Sequence, residues 1–104
     1  MVLLPANEII VERVPVVAEV SAYTASPDET DSSPETTACN TRTRIGIIAN
    51  NSLPCFSKVE IDGKIYSVED KMNRRYGKNH FDILMETKQE AKKFGRQIKE
   101  VKIL

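Results

Sequence analysis

Lys58-Val59-Glu60-Ile61-Asp62-Gly63-Lys64-Ile65-Tyr66-Ser67-Val68 is the stretch whose reading decides the fold. Two runs with apolar residues at alternate positions, Lys58 to Ile61 and Lys64 to Val68, flank Asp62-Gly63. Asp-Gly supplies two residues that tolerate positive φ, which a two-residue type I′ turn requires. The pattern predicts a tight hairpin in which Val59 opposes Tyr66. Val59, Ile61, Tyr66 and Val68 then share one face.

Downstream of the hairpin, Phe81 to Met85 reads as another short strand. Thr87-Lys88-Gln89-Glu90 is a capping box, so a helix is predicted over 88–94, with Ala91 and Phe94 as its buried stripe. Gly95 stops it. Ile98 to Leu104 alternates as a closing strand. Upstream, Gly46 to Ala49 is a short buried strand broken by Asn50 to Pro54. Val16 to Thr24 alternates with Val16, Ala18, Val20 and Ala22 on one face. Residues 25–44, rich in Ser, Thr, Pro and Asp, form a long loop or two weak strands. Several short strands and one short helix predict a mainly β chain closed as a small barrel. The domain runs from 15 to 104, and residues 1–14 are a leader or linker.

At 104 residues the chain suits one small domain. Its formal net charge is zero but unevenly spread. Residues 1–36 carry seven acidic side chains against one basic, and residues 37–104 fourteen basic against eight acidic. The cationic part suits an anionic polymer, or else a balancing contact with the acidic segment. No apolar run is long enough to span a membrane. Met1 to Pro5 lacks the features of a signal peptide. Either the chain works in the cytoplasm or an export signal lies outside it. Cys39 and Cys55 read equally as a disulfide or as two buried thiols. No Cys or His spacing suits a metal, and no cofactor is expected.

The chemistry centres on two aspartates. Asp70 ends the run after Val68, and Asp82 lies inside the strand at Phe81. Aspartate is a poor strand residue. Two of them beside paired strands, across the basic loop Lys71 to Lys78, suggest an acid/base site. The plain alternative is a turn aspartate and a salt-bridged neighbour. His80, two residues before Asp82, either tunes it or is a half-exposed histidine. Arg74 and Arg75 with Tyr76 suit carboxylates and sugar faces, or form a solvated basic loop. Asp28, Glu29 and Asp31 match no calcium loop. No nucleic-acid motif surrounds Lys71 to Lys78, so no nucleic acid is expected as partner.

The order of pieces resembles the three-aspartate (3D) domain, a family related to the catalytic barrel of membrane-bound lytic transglycosylase A. The residues that carry it are Val20-Ser21-Ala22-Tyr23-Thr24, Gly46-Ile47-Ile48-Ala49, Leu53-Pro54 and Lys58-Val59-Glu60-Ile61. Val68-Glu69-Asp70, Phe81-Asp82-Ile83, Glu90-Ala91 and Phe94-Gly95-Arg96 follow, and the match spans roughly 20–104. The resemblance implies a six-stranded double-psi β-barrel, an extracytoplasmic location and peptidoglycan, or a related glycan strand, as substrate. It implies Asp82 as the single catalytic acid/base, giving 1,6-anhydromuramyl ends, with Asp70 as the second aspartate and Tyr23-Thr24 as the family's Tyr-Thr pair. The first aspartate falls on Asn51, which keeps the shape and loses the charge. Leu53-Pro54-Cys55-Phe56-Ser57 and Lys71 to Arg75 also depart from the family pattern. The expected substrate contacts are Tyr23, Thr24, Asn51, Arg74 and Arg75. A non-catalytic glycan-binding module on the same barrel is the alternative. The resemblance also brings the segments of Cys39 and Cys55 beside the same pair of strands. A monomer is expected, with any membrane contact made through an anchor outside this chain.

Overall fold

The computed structural model describes residues 15–25 and 35–104. The leader 1–14 and the acidic trio Asp28, Glu29 and Asp31 lie outside them. The elements run β1 (Val16–Tyr23), β2 (Ile47–Ala49), β3 (Lys58–Ile61), β4 (Lys64–Asp70), β5 (His80–Leu84), α1 (Lys88–Phe94) and β6 (Gln97–Ile103). The six strands close a mixed barrel in the order β1-β5-β2-β4-β3-β6. The closed six-stranded barrel with one short helix is therefore as the sequence predicts.

The hairpin is the local anchor. Val59 pairs with Tyr66 and Ile61 with Lys64. Asp62 and Gly63 both adopt positive φ, 52° and 79°, as a type I′ turn requires. The helix starts where the capping box places it. The Thr87 hydroxyl accepts the Glu90 amide at 3.1 Å and donates to the Glu90 carboxylate at 3.2 Å. Gly95 follows at φ 64°, and its amide closes on the Ala91 carbonyl.

The remaining pairings are long-range. β1 lies parallel to β5 and antiparallel to β6. β2 lies parallel to β4 and antiparallel to β5. Parallel neighbours cannot be joined by a tight turn, so the chain must cross over between them. Ala18, Val20, Ile48, Val59, Ile61, Val68, Phe81, Ile83 and Val101 fill the interior. The alternation of β1 holds for Ala18 and Val20 but not beyond them. Tyr23, on the opposite face, is also buried, in a second apolar cluster with Ile47, Ala49 and Leu84. This second cluster covers part of the outer wall.

Segment 35–45 crosses that wall. Within it Thr36 bridges to Arg42, in place of the two weak strands considered from sequence. Cys39 is disulfide-bonded to Cys55, with Cα atoms 5.9 Å apart. Glu69 is only 1% exposed, and its carboxylate accepts both guanidinium nitrogens of Arg44, at 2.8 and 2.7 Å, and the Thr41 hydroxyl at 2.6 Å. The Arg44 hydrogen bonds hold the Glu69 carboxyl down at about 2, against the opposing effect of burial. A buried carboxylate needs this degree of pairing to remain charged.

Candidate functional site

The site is built on the outside of the barrel wall. Ser21 pairs with Asp82 across β1 and β5, and Ala49 pairs with Asp82 across β2 and β5. Ala49 also pairs with Asp70 across β2 and β4. Residues in register point to the same side of a sheet. Ser21, Asp82, Ala49 and Asp70 therefore form one row across four neighbouring strands. Phe81 and Ile83 point the other way, into the core.

Asp70 reaches this row through an irregularity. The register advances from Ile48–Val68 to Ala49–Asp70, skipping Glu69. An extra residue of this kind changes which side the following side chain takes. Without it Ala49 would oppose Glu69. Alternation alone would turn Asp70 inward; the extra residue brings it to the outer wall, into the row, while Glu69 turns to Arg44.

Asp82 lies on the floor of an open groove of about 990 Å³. Ser21, Ala22 and Tyr23 of β1 share that floor, and Lys88, Lys92, Arg96 and the Tyr76 ring line the walls. Lys88 and Lys92 are four apart on α1, so both face the same way. The Ser21 hydroxyl donates to Asp82 Oδ1 at 3.0 Å and lies 3.1 Å from His80 Nε2. The Tyr76 ring covers the imidazole, with centroids 4.4 Å apart. Its phenol accepts from Arg75 at 3.0 Å and Arg96 at 3.4 Å, contacts that lower its pKa.

Asp70 takes a different part. Its Oδ2 accepts the Tyr23 hydroxyl at 2.9 Å. Its Oδ1 accepts the amides of Ala38, at 3.0 Å, and Lys71, at 3.1 Å. Two strand spacings of about 4.8 Å separate its backbone from that of Asp82, roughly 10 Å in all. Burial, then the charge of Asp70, push the Tyr23 phenol well above its ordinary value, and Asp82 adds to this. Tyr23 thus keeps its proton and stays a donor.

The other expected contacts divide. Tyr23 lines the groove. Thr24 is buried and does not line it. Arg75 reaches the groove through Tyr76, with its guanidinium 5.0 Å from the ring centroid, while Arg74 is exposed beside it. Asn51 is spent on the loop after β4. Its amide donates to the carbonyls of Asn73 and Tyr76, at 3.0 and 3.2 Å, and its oxygen accepts the Met72 amide at 2.7 Å. An aspartate there would have no proton for the two carbonyls. The neighbouring Asn50, fully buried, ties the Lys78 and His80 carbonyls to the Ser52 and Leu53 amides.

Sequence reasoning did not find Ser21, Lys88, Lys92 or Arg96. Ser21 shares a face with Tyr23 at strand spacing, and Lys88 with Lys92 at helix spacing. Those periods were the available signal. Among the described residues no group of three or more His, Cys, Asp and Glu is placed to hold a metal ion. Compared with protein-family models and with curated proteins, the chain matches none.

Proposed function

We propose that this barrel cleaves peptidoglycan in the manner of a lytic transglycosylase, as a 3D-type domain acting outside the cytoplasm. The observation that carries the reading is Asp82, hydrogen-bonded by Ser21 on the floor of a groove walled by Tyr76 and three cationic side chains. Such a groove suits a sugar chain bearing carboxylates. Tyr76 offers an aromatic edge or face to a ring, and Lys92 offers charge to lactyl or peptide carboxylates beside the Arg96–Glu19 pair. The single acid/base chemistry uses Asp82 twice. As the acid it protonates the glycosidic oxygen while the C1–O bond breaks. As the carboxylate it then removes the proton of the muramyl C6 hydroxyl, whose oxygen closes on C1. The proton lost in the first step returns in the second. Asp70, engaged by three donors, supports this by holding the Tyr23 hydroxyl rather than by acting as a second hydrolytic carboxyl.

A glycan-binding module without turnover is the second reading. Asn51 favours it, since the position of the family's first aspartate serves here only to tie a loop. Mass spectrometry of purified peptidoglycan after incubation separates the two. New 1,6-anhydromuramyl ends are expected. Their absence at high protein loading, with sedimentation onto the polymer retained, would leave only the binding module.

A further inference from the structure

Four side chains on the outer wall stand in one line. Glu19 Oε2 lies 3.7 Å from His80 Nδ1. His80 Nε2 lies 3.1 Å from Ser21 Oγ, which lies 3.0 Å from Asp82 Oδ1. Arg96 grips the far end, at 2.7 Å from Glu19 Oε1. The His80 side chain is 7% exposed, roofed by Tyr76, and the carbonyl of the same residue is tied by Asn50.

The donors and acceptors along this line can be counted. A hydroxyl donates once and accepts on its other side, and an imidazole has two distinct nitrogens. With His80 as imidazolium and Asp82 as carboxylate, Nε2–H points at Oγ and Oγ–H at Oδ1. With His80 neutral at Nε2 and Asp82 as carboxylic acid, Oδ1–H points at Oγ and Oγ–H at Nε2. Each of the two hydrogen bonds at Ser21 then holds one proton, and Nδ1–H faces the Glu19 charge across 3.7 Å in both states. Remove one proton and two acceptors confront each other, either at Ser21 or at Glu19. The two complete states interconvert without any other reactant. The Nε2–H bond breaks as a new Oγ–H bond forms, and the old Oγ–H bond breaks as Oδ1–H forms.

We propose that His80 is a positioning residue that shares one proton with Asp82 through the Ser21 hydroxyl. Its use in catalysis rests on the cleavage proposed above; the shared proton does not. The groups facing the ring are Glu19 from β1, Arg96 between α1 and β6, and Tyr76 from the loop after β4, and Asp82 on β5 is reached through the Ser21 hydroxyl. Burial lowers the pKa of His80, Glu19 opposes this, and Arg96 adds to it, so the ring yields its proton readily. A carboxyl two bonds along the line is the natural recipient. The line gives Asp82 a hydrogen-bonded route to a proton besides solvent.

His80 is the single histidine of the chain, so one imidazole resonance reports on it. The test is its NMR pH titration in the wild-type chain, Asp82→Asn and Ser21→Ala. Asp82→Asn removes the anion that favours the imidazolium, and the midpoint should fall by about one pH unit. Ser21→Ala should move it the same way by less, and Ser21→Thr should restore it. A midpoint that stays within about 0.2 units in Asp82→Asn overturns the proposal, whatever Ser21→Ala does. As a second readout, His80→Gln keeps a donor to Ser21 but cannot titrate. It should move the alkaline limb of the pH–rate profile to lower pH, whereas a merely structural loss scales the whole profile. Coupling without anhydro ends would keep the shared proton and end the cleavage reading. Anhydro ends with an unmoved midpoint would do the reverse.

Discussion

The outer wall of the barrel carries two polar networks of opposite character. Around Glu69 the chain closes on itself: Arg44 and Thr41 take the carboxylate, and Cys39 is bonded to Cys55 close by. Asp82 accepts the Ser21 hydroxyl and lies on the floor of an open groove. The two acids lie on the strands that flank β2, one on β4 and one on β5. What separates them is whether their surroundings come from the chain alone or leave room for another molecule. Pairing of the first kind makes a carboxylate structural. An open floor with a cationic rim makes it available for chemistry.

The largest expected effect breaks the open network. Asp82→Asn should cut turnover on peptidoglycan by about 10³-fold, within the usual range for a lost general acid/base. Its melting temperature should match the wild type, because the amide is isosteric and faces the groove. Asp70→Asn should lower the rate less, since it acts through Tyr23. Full activity in both variants would move the site elsewhere.

The next breaks the closed network. Replacing Cys39 and Cys55 by serine opens a ring of sequence separation 16, which should cost about 3 kcal/mol of stability in denaturant melts. The rate per folded molecule should change only a few-fold, because the disulfide touches the row only through the Ala38 amide on Asp70. A rate collapse as deep as that of Asp82→Asn would show that the two networks are one.

A smaller effect sharpens the contrast through pH. The folded pKa of Glu69 lies at about 2, below its ordinary 4.5. In unfolding, Glu69 takes up a proton at pH values where the native state does not. Its stabilisation is therefore full above about 4.5 and lost as pH falls toward 2. Urea midpoints measured from pH 6 down to the acid limit should fall more steeply in the wild type than in Arg44→Ala. Equal slopes would mean that Arg44 does not hold the carboxyl down.

The same contrast explains what the sequence made legible. The Asp62-Gly63 hairpin and the Thr87–Glu90 capping box were readable because their partners sit within a few residues. Asp70 and Asp82 were singled out because acids are out of place beside apolar strand residues. Their arrangement was not readable. Ser21 meets Asp82 from 61 positions away, and Tyr23 meets Asp70 from 47. The skipped register at Glu69 leaves no local mark, since alternation alone assigns Asp70 to the other face. Asn51 was expected at the substrate; its partners are backbone groups of a loop more than twenty residues on. Nothing in a side chain's identity tells whether its amide will serve a ligand or a carbonyl of its own chain.

The parallel pairing of β1 with β5 has a consequence in time rather than in space. Strands so far apart in sequence must meet before any pairing energy offsets the entropy of closing the chain between them. Folds dominated by such contacts form on the order of milliseconds to seconds. The hairpin and helix can appear early, yet neither contains a whole row. Ser21 cannot find Asp82 until the barrel shuts. A growing or partly unfolded chain therefore passes through no stage with half a site, and the groove appears at the same moment as the folded protein.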